Sequence, residues 1–245
     1  MNNYKLFISF DGTDFSGWQR LGGNAKTIQG TFETCLSLMT GAKTEVTGCG
    51  RTDAGVHAEK YVANFKTQRA FDPLYIKEYL NRYLPRSINV FSCETADERF
   101  HSRLCAKKKT YRYRIWNSAE HNVFERKYLY AFPDRLDIAA MESAAGRLIG
   151  THDFIGFSSL KKTKKSTVRN IYSAEIIQNF PEIDIEITAN GFIYNMMRII
   201  SGTLLEIGCG RQSENLPDEI FASRDRFLAG FTAPASGLIL KDVVY

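Results

Sequence analysis

The sequence offers little from which to build a covalent or metal framework. Its five cysteines (Cys35, Cys49, Cys93, Cys105, Cys209) are odd in number, widely spaced and never set as a C-x-x-C pair. That excludes a disulfide scaffold and a zinc ribbon, and fits reduced thiols. The four histidines (His57, His101, His121, His152) show neither H-x-x-x-H nor H-E-x-x-H spacing, so no metal cofactor is expected. Prolines number only 6, and the 245 residues are 44% hydrophobic and 24% charged, which excludes collagen, disorder and coiled coil. No apolar run approaches the roughly 18 residues of a membrane span. The opening Met1-Asn2-Asn3-Tyr4-Lys5 lacks the basic and apolar regions of a secretory leader, so a soluble, cytoplasmic protein is expected. Charge is nearly balanced: 32 Lys plus Arg against 27 Asp plus Glu give a net +5. That small excess fits a polyanionic partner without requiring one.

What is present reads as two α+β halves, 1–105 and 106–245, because the length exceeds that of most single cores. Tyr4 to Phe10 alternates as a strand and ends in the turn residues Asp11-Gly12-Thr13-Asp14. Ile28, Phe32, Cys35, Leu36 and Met39 recur at helical spacing between an N-cap at Thr27 and Gly41. Thr44 to Thr47 and Lys60 to Lys66 read as short strands flanking a polar loop, Gly48 to His57. Pro73 to Leu84 reads as a helix, and Ile88 to Glu94 and Lys109 to Asn117 as strands. In the second half a loop-like stretch, 117–134, precedes a helix over 137–149. Arg169 to Gln178 and Ile183 to Ala189 form a hairpin, Phe192 to Ile207 and Leu216 to Leu228 are helical, and Gly237 to Val244 is a last strand.

Four segments carry candidate chemistry. Gly48 to His57 packs three glycines, Arg51, Asp53 and His57 between two strands; it is neither a P-loop nor a dinucleotide fingerprint. An aspartate kept ionised by an arginine can act as nucleophile or base, and without a Ser-His, Cys-His or paired-carboxylate set, acyl transfer and ordinary glycoside hydrolysis are not indicated. Lys107 to Arg114 interleaves Tyr111 and Tyr113 with five cations. Alternation places the tyrosines on one face and Arg112 and Arg114 on the other, which suits either a solvated strand or a nucleic-acid surface, aromatic faces for bases and cations for phosphates. Lys161, Lys162, Lys164 and Lys165 form a second basic run. Asn195 and Arg198 interrupt an apolar helix; a buried guanidinium there calls for a carboxylate, while an arginine that snorkels to the surface is the commoner case. Trp18 and Phe154 read as core, Asp11, Asp14 and Asp153 as turn or cap residues, and His57 and His152 as hydrogen-bonded structural residues.

Gly50-Arg51-Thr52-Asp53-Ala54-Gly55-Val56-His57-Ala58 closely resembles the active-site signature of the TruA family of tRNA pseudouridine synthases. The resemblance runs nearly end to end and in the family's order. It takes in Phe10-Asp11-Gly12-Thr13, Phe15-Ser16-Gly17-Trp18-Gln19, Thr27-Ile28-Gln29-Gly30, Lys109-Thr110-Tyr111-Arg112-Tyr113, Gly150-Thr151-His152-Asp153-Phe154, Ala189 to Arg198, Gly202 to Gly208 and Thr232-Ala233-Pro234 to Gly237-Leu238. Ser201, Met197 and the segment Leu21 to Lys26 depart from the pattern.

The resemblance implies an α+β pseudouridine synthase fold, with two subdomains sharing a mainly antiparallel central sheet, helices on one face and a basic cleft between them. It implies a homodimer that isomerises uridine to pseudouridine in the tRNA anticodon arm, at positions 38, 39 or 40, without cofactor or metal. By motif position Asp53 is the catalytic carboxylate, Tyr111 packs on the uracil and helps remove the C5 proton, and Arg198 pairs with Asp53. Arg51 contacts the RNA or fills the space of the flipped base, and Lys107, Lys109, Lys161, Lys162, Lys164 and Lys165 hold the RNA backbone. The competing readings are a non-catalytic RNA-binding protein of the same fold and a synthase acting on another RNA.

Overall fold

The computed structural model describes residues 1–22, 26–161 and 165–245. They divide into two compact units, Met1–Lys107 with Leu240–Tyr245, and Lys108–Ile239. The chain's last residues thus join the first unit.

In the first unit, β1 (Asn2–Phe10) alternates as its sequence suggests, burying Tyr4, Leu6, Ile8 and Phe10. α1 (Ile28–Thr40) starts where Thr27 Oγ1 accepts the Gly30 N–H and stops at Gly41, which is left-handed at φ 72°. This is the usual division of labour between a hydroxyl N-cap and a glycine terminator. β2 (Val46–Gly48) and β3 (His57–Thr67) bracket the glycine-rich loop. α2 (Pro73–Tyr83) is capped by Asp72 with Pro73 at its first turn, and β4 (Ile88–Ala96) follows. β1 pairs antiparallel with β3 and β4, and β2 antiparallel with β3. Ile28, Phe32, Leu36, Ile76 and Leu80, from the two helices, are buried with Leu6, Val62 and Phe65 of the strands. Each such side chain contributes about 1.5–3 kcal/mol by leaving water.

The second unit opens with β5 (Lys108–Trp116), beside which the two-residue β6 (Tyr130–Ala131) lies parallel. α3 (Ile138–Gly146), β7 (Gly150–Asp153), a 3₁₀ turn at Phe154–Phe157, β8 (Val168–Asn179) and β9 (Glu182–Ala189) follow. Then come α4 (Met196–Gly208) and α5 (Leu216–Ser223); β10 (Leu238–Val244) follows, and its residues from Leu240 on belong to the first unit, beside β3. Strand order here is β5-β9-β8-β7, with β5–β9, β9–β8 and β8–β7 all antiparallel. α4 is buried almost all round, as a helix apolar on every side must be; its Ser201 hydroxyl bonds back to Met197 O at 2.9 Å, so this departure from the family pattern leaves no polar atom stranded.

Several boundaries differ from the sequence reading, each for a local reason. The helix expected from Phe192 begins only at Met196, because Asn195 is left-handed (φ 60°, ψ 4°) and cannot lie inside an α-helix. The helix expected to reach Leu228 stops at Ser223, terminated by Arg224 at φ 59°. β6 falls in the stretch read as loop, and β7 with the 3₁₀ turn went unread because four-residue pieces carry no period.

Candidate active site

Asp53 stands half-buried on the loop between β2 and β3, beside exposed Arg51. Backbone contacts on both limbs hold this loop. On the entering limb the Tyr61 hydroxyl donates to Gly50 O, and Tyr61 stacks on Trp18 with centroids 4.1 Å apart. Gly48 lies against the same two rings: a Cβ there would sit 2.0 Å from the Tyr61 hydroxyl oxygen and 2.5 Å from the indole. On the Asp53 side, Trp18 N–H donates to Thr52 O at 3.1 Å and Val56 N–H to Asp53 O at 3.2 Å. Gly17, left-handed at φ +88°, presses directly on the Thr52–Ala54 backbone, where a Cβ would meet Thr52 O at 2.6 Å.

The Thr27-Ile28-Gln29-Gly30 motif supports this arrangement from behind. Gln29 N–H donates to Trp18 O at 2.9 Å, and Gln29 Nε2 donates to Val46 O at 3.0 Å and to buried Glu33 at 3.0 Å. Arg20 closes the group on Glu33 at 2.8 Å. His57 is buried, with Nδ1 accepting the Gly12 N–H at 3.1 Å and lying 3.2 Å from Asp11 Oδ1. It has the structural, hydrogen-bonded role expected from sequence, and Asp11 is the turn residue expected, accepting from Thr13 N–H at 2.9 Å.

In the second unit Tyr111 lies in β5, buried, with Phe192 edge-on at 4.8 Å and 78°. Arg198 projects from the first turn of α4 and is held by its neighbours. Its Nε donates to Ala233 O at 2.7 Å, its Nη1 to Asn195 Oδ1 at 3.3 Å, and Ala233 N–H returns a bond to Arg198 O at 3.1 Å. Tyr113 OH donates to Pro234 O at 2.8 Å. The Thr232-Ala233-Pro234 motif is therefore a bracket that ties β5 to α4, a role that becomes visible only with both partners in place. Burial pushes the Tyr113 phenol well above its ordinary range, so it serves here as a neutral donor.

The basic residues separate into two kinds. Lys107, Lys161 and Lys165 are exposed and Lys109 is half-buried in β5; Lys162 and Lys164 lie outside the described residues. Arg112 and Arg114 face acidic neighbours on β9 instead of standing open to RNA. Arg114 Nε lies 2.5 Å from Glu182 and its Nη2 3.0 Å from Glu125, while Arg112 Nε lies 3.6 Å from Asp184 and 3.5 Å from Glu186. Burial, reinforced by the Glu182 charge, pushes the Asp184 carboxyl up to about 6 against the pull of Arg112 and Arg114.

Trp18 and Phe154 are core residues as read, and His152 stacks on Phe221 at 4.3 Å. Asp153 caps the 3₁₀ turn by accepting the Ile155 N–H at 3.1 Å. Among the described residues no three His, Cys, Asp or Glu side chains are grouped to hold a metal ion, and no helix is long and apolar enough to cross a membrane.

A family profile described as tRNA pseudouridine synthase matches residues 6–104 and 144–245. The chain is 44% identical over 245 residues to tRNA pseudouridine synthase A 2 of Bacillus anthracis, and 47% identical over 245 residues to tRNA pseudouridine synthase A of Bacillus sp. (strain KSM-64), with 100% of each chain covered. It is 46% identical over 249 residues to tRNA pseudouridine synthase A 1 of Clostridium tetani, again over 100% of both. Matched in both units and along its whole length, the chain belongs to the tRNA pseudouridine synthase family of isomerases.

Proposed function

We propose that this protein isomerises uridine to pseudouridine in the anticodon arm of tRNA, at positions 38, 39 or 40, with Asp53 as the catalytic carboxylate. The observation that carries the reading is the rigid seat of Asp53, a half-buried carboxylate on a loop pinned by Tyr61 on one limb and by Gly17 and Trp18 on the other. A catalyst with one carboxylate depends on where that group stands, since misplacement by an ångström costs about a hundredfold.

The reaction breaks the N1–C1′ bond, turns the uracil, joins C5 to C1′ and removes the C5 proton. Asp53 attacks C1′, adds to C6 or takes the C2′ proton; all three routes use the same ionised carboxylate. The target base must leave its stack at a cost of a few kcal/mol, which stacking and hydrogen bonds in the pocket offset. Tyr111 supplies the aromatic face and assists loss of the C5 proton, Arg198 pairs with Asp53, and Arg51 contacts the RNA. Lys107, Lys109, Lys161, Lys162, Lys164 and Lys165 neutralise phosphates, so affinity falls steeply with salt. The protein acts as a cytoplasmic homodimer. Phe227, 94% exposed in the second unit, is the kind of bare aromatic surface that a second copy would cover.

The test is pseudouridine mapping by carbodiimide adduct and primer extension on unmodified tRNAs, with wild type beside Asp53→Ala. Stops confined to the anticodon arm, absent with Asp53→Ala while tRNA affinity persists, are expected. Full activity in Asp53→Ala would refute its role, and salt-sensitive tRNA binding without stops would redirect the assignment to another RNA.

A further inference from the structure

Arg198 occupies the third position of α4, and the residue that caps that helix does so in an unusual way. An N-cap with extended backbone turns its side-chain oxygen onto the N–H of the second or third helical residue. Asn195 is left-handed and makes no such bond, so its amide is aimed elsewhere. Oδ1 accepts from the Arg198 guanidinium at 3.3 Å, and Nδ2 donates to Ser159 Oγ at 3.0 Å. The orientation of the amide follows from chemistry, because a guanidinium has donors and no acceptor. Ser159 is itself fixed: its N–H donates to Tyr194 O at 3.3 Å, and the neighbouring Ser158 hydroxyl donates to the same carbonyl at 2.9 Å. Two residues on lies Lys161, the first lysine of the basic run.

We propose that Asn195 is a positioning residue for Arg198. Its left-handed backbone diverts the capping amide from the helix N–H groups to the guanidinium, and anchors that guanidinium to Ser159, two residues before Lys161. The proposal rests on the reading that Arg198 belongs to the active site. Ala233 O holds Nε, and Asn195 fixes the remaining rotation by holding Nη1. Of the non-glycine residues, asparagine and aspartate enter the left-handed region most readily, so one residue type supplies both the backbone and the two-sided side chain.

The experiment is a double-mutant cycle between Asn195→Gly and Arg198→Lys, read as the single-turnover rate at saturating unmodified tRNA, with the tRNA Kd and Tm of every variant. Glycine keeps the left-handed backbone without strain, so only the side-chain bonds are lost. The expected result is a rate loss on the order of tenfold for Asn195→Gly, a Kd within about twofold of wild type, and no further loss when Asn195→Gly is added to Arg198→Lys. Asn195→Asp, which retains an acceptor for the guanidinium, should recover most of the rate.

Wild-type rate in Asn195→Gly beside a slow Arg198→Lys would overturn the proposal and leave the site reading standing. So would losses that add in full, because a merely structural asparagine acts independently of Arg198. Wild-type rate in Arg198→Lys would remove the site reading itself. Should Asn195→Gly melt early, Ser159→Ala carries the same cycle from the loop side, with an expected loss of roughly threefold.

Discussion

Asp53 and Arg198 are both presented at the margin of a buried framework, yet what holds them differs. The Asp53 loop is braced mainly by backbone lying on backbone, Gly17 against Thr52–Ala54 and Trp18 N–H on Thr52 O, with the Tyr61 hydroxyl on Gly50 O as a side-chain contact. Arg198 sits on a regular helix and owes its orientation to a side-chain amide and a carbonyl, Asn195 Oδ1 and Ala233 O. The face of β5 opposite Tyr111 extends the second pattern, with Arg112 and Arg114 set among Glu182, Asp184, Glu186 and Glu125. The first arrangement tolerates almost no added volume and carries little charge. The second is built from charged and polar side chains and responds to protons and salt.

Among changes that leave Asp53 itself in place, the largest effect is therefore expected from the smallest substitution. Gly17→Ala places a methyl 2.6 Å from Thr52 O, at a φ of +88° that alanine avoids. The loop must shift, and turnover should fall about a hundredfold while tRNA affinity, which depends on phosphate contacts elsewhere, stays near wild type. Single-turnover rates and filter binding on the same preparation measure both. A Gly17→Ala protein at wild-type rate would show that the loop is positioned by something other than its backbone contacts.

These supports were unequally legible in the sequence. Asp53 drew notice because glycines, Arg51 and His57 crowd into ten residues, although its role rests on the resemblance of Gly50 to Ala58 to a family signature; α1 and β5 were legible because their apolar residues keep a period. The contact of Gly17 with Thr52 joins positions 35 residues apart, and no local pattern encodes it. The start of α4 was hidden for the opposite reason: apolar residues continue at helical spacing from Phe192 through Asn195, and only the backbone at Asn195 interrupts them. The neutralisation of Arg112 and Arg114 did leave a signal. Glu182-Ile183-Asp184-Ile185-Glu186 alternates acidic with apolar residues just as Arg112-Tyr113-Arg114 alternates basic with apolar ones. Two strands with complementary alternation are natural partners, and Arg112 does face Glu186 across the register, as Arg114 faces Asp184.

The charged face of the second unit should show itself in the pH dependence of stability. Asp184 has its carboxyl raised to about 6 by burial and by Glu182, above its unfolded value near 4. The folded state therefore binds the proton more tightly between those values. The group's contribution to stability falls as pH rises through that window, and above about 6 the ionised form is held at a cost. Asp184→Asn removes this dependence. Relative to wild type the variant should gain about 2 kcal/mol between pH 4 and pH 7.5, measured as the difference between urea unfolding curves at the two pH values. An unchanged difference would show that the Arg112 and Arg114 charges fully compensate the buried carboxylate.

The smallest effect is expected where a side chain does contribute to the Asp53 loop. Tyr61→Phe deletes the hydroxyl that donates to Gly50 O but keeps the ring stacked on Trp18 at 4.1 Å and against Gly48. One hydrogen bond to a neutral carbonyl is worth about 1 kcal/mol, and urea unfolding should show a loss of that size. Turnover should change by no more than about threefold, because Gly17 and Trp18 still fix the Thr52–Ala54 segment. A rate loss as large as that of Gly17→Ala would mean that the entering limb governs where Asp53 stands, and that the backbone contacts on the far limb only follow it.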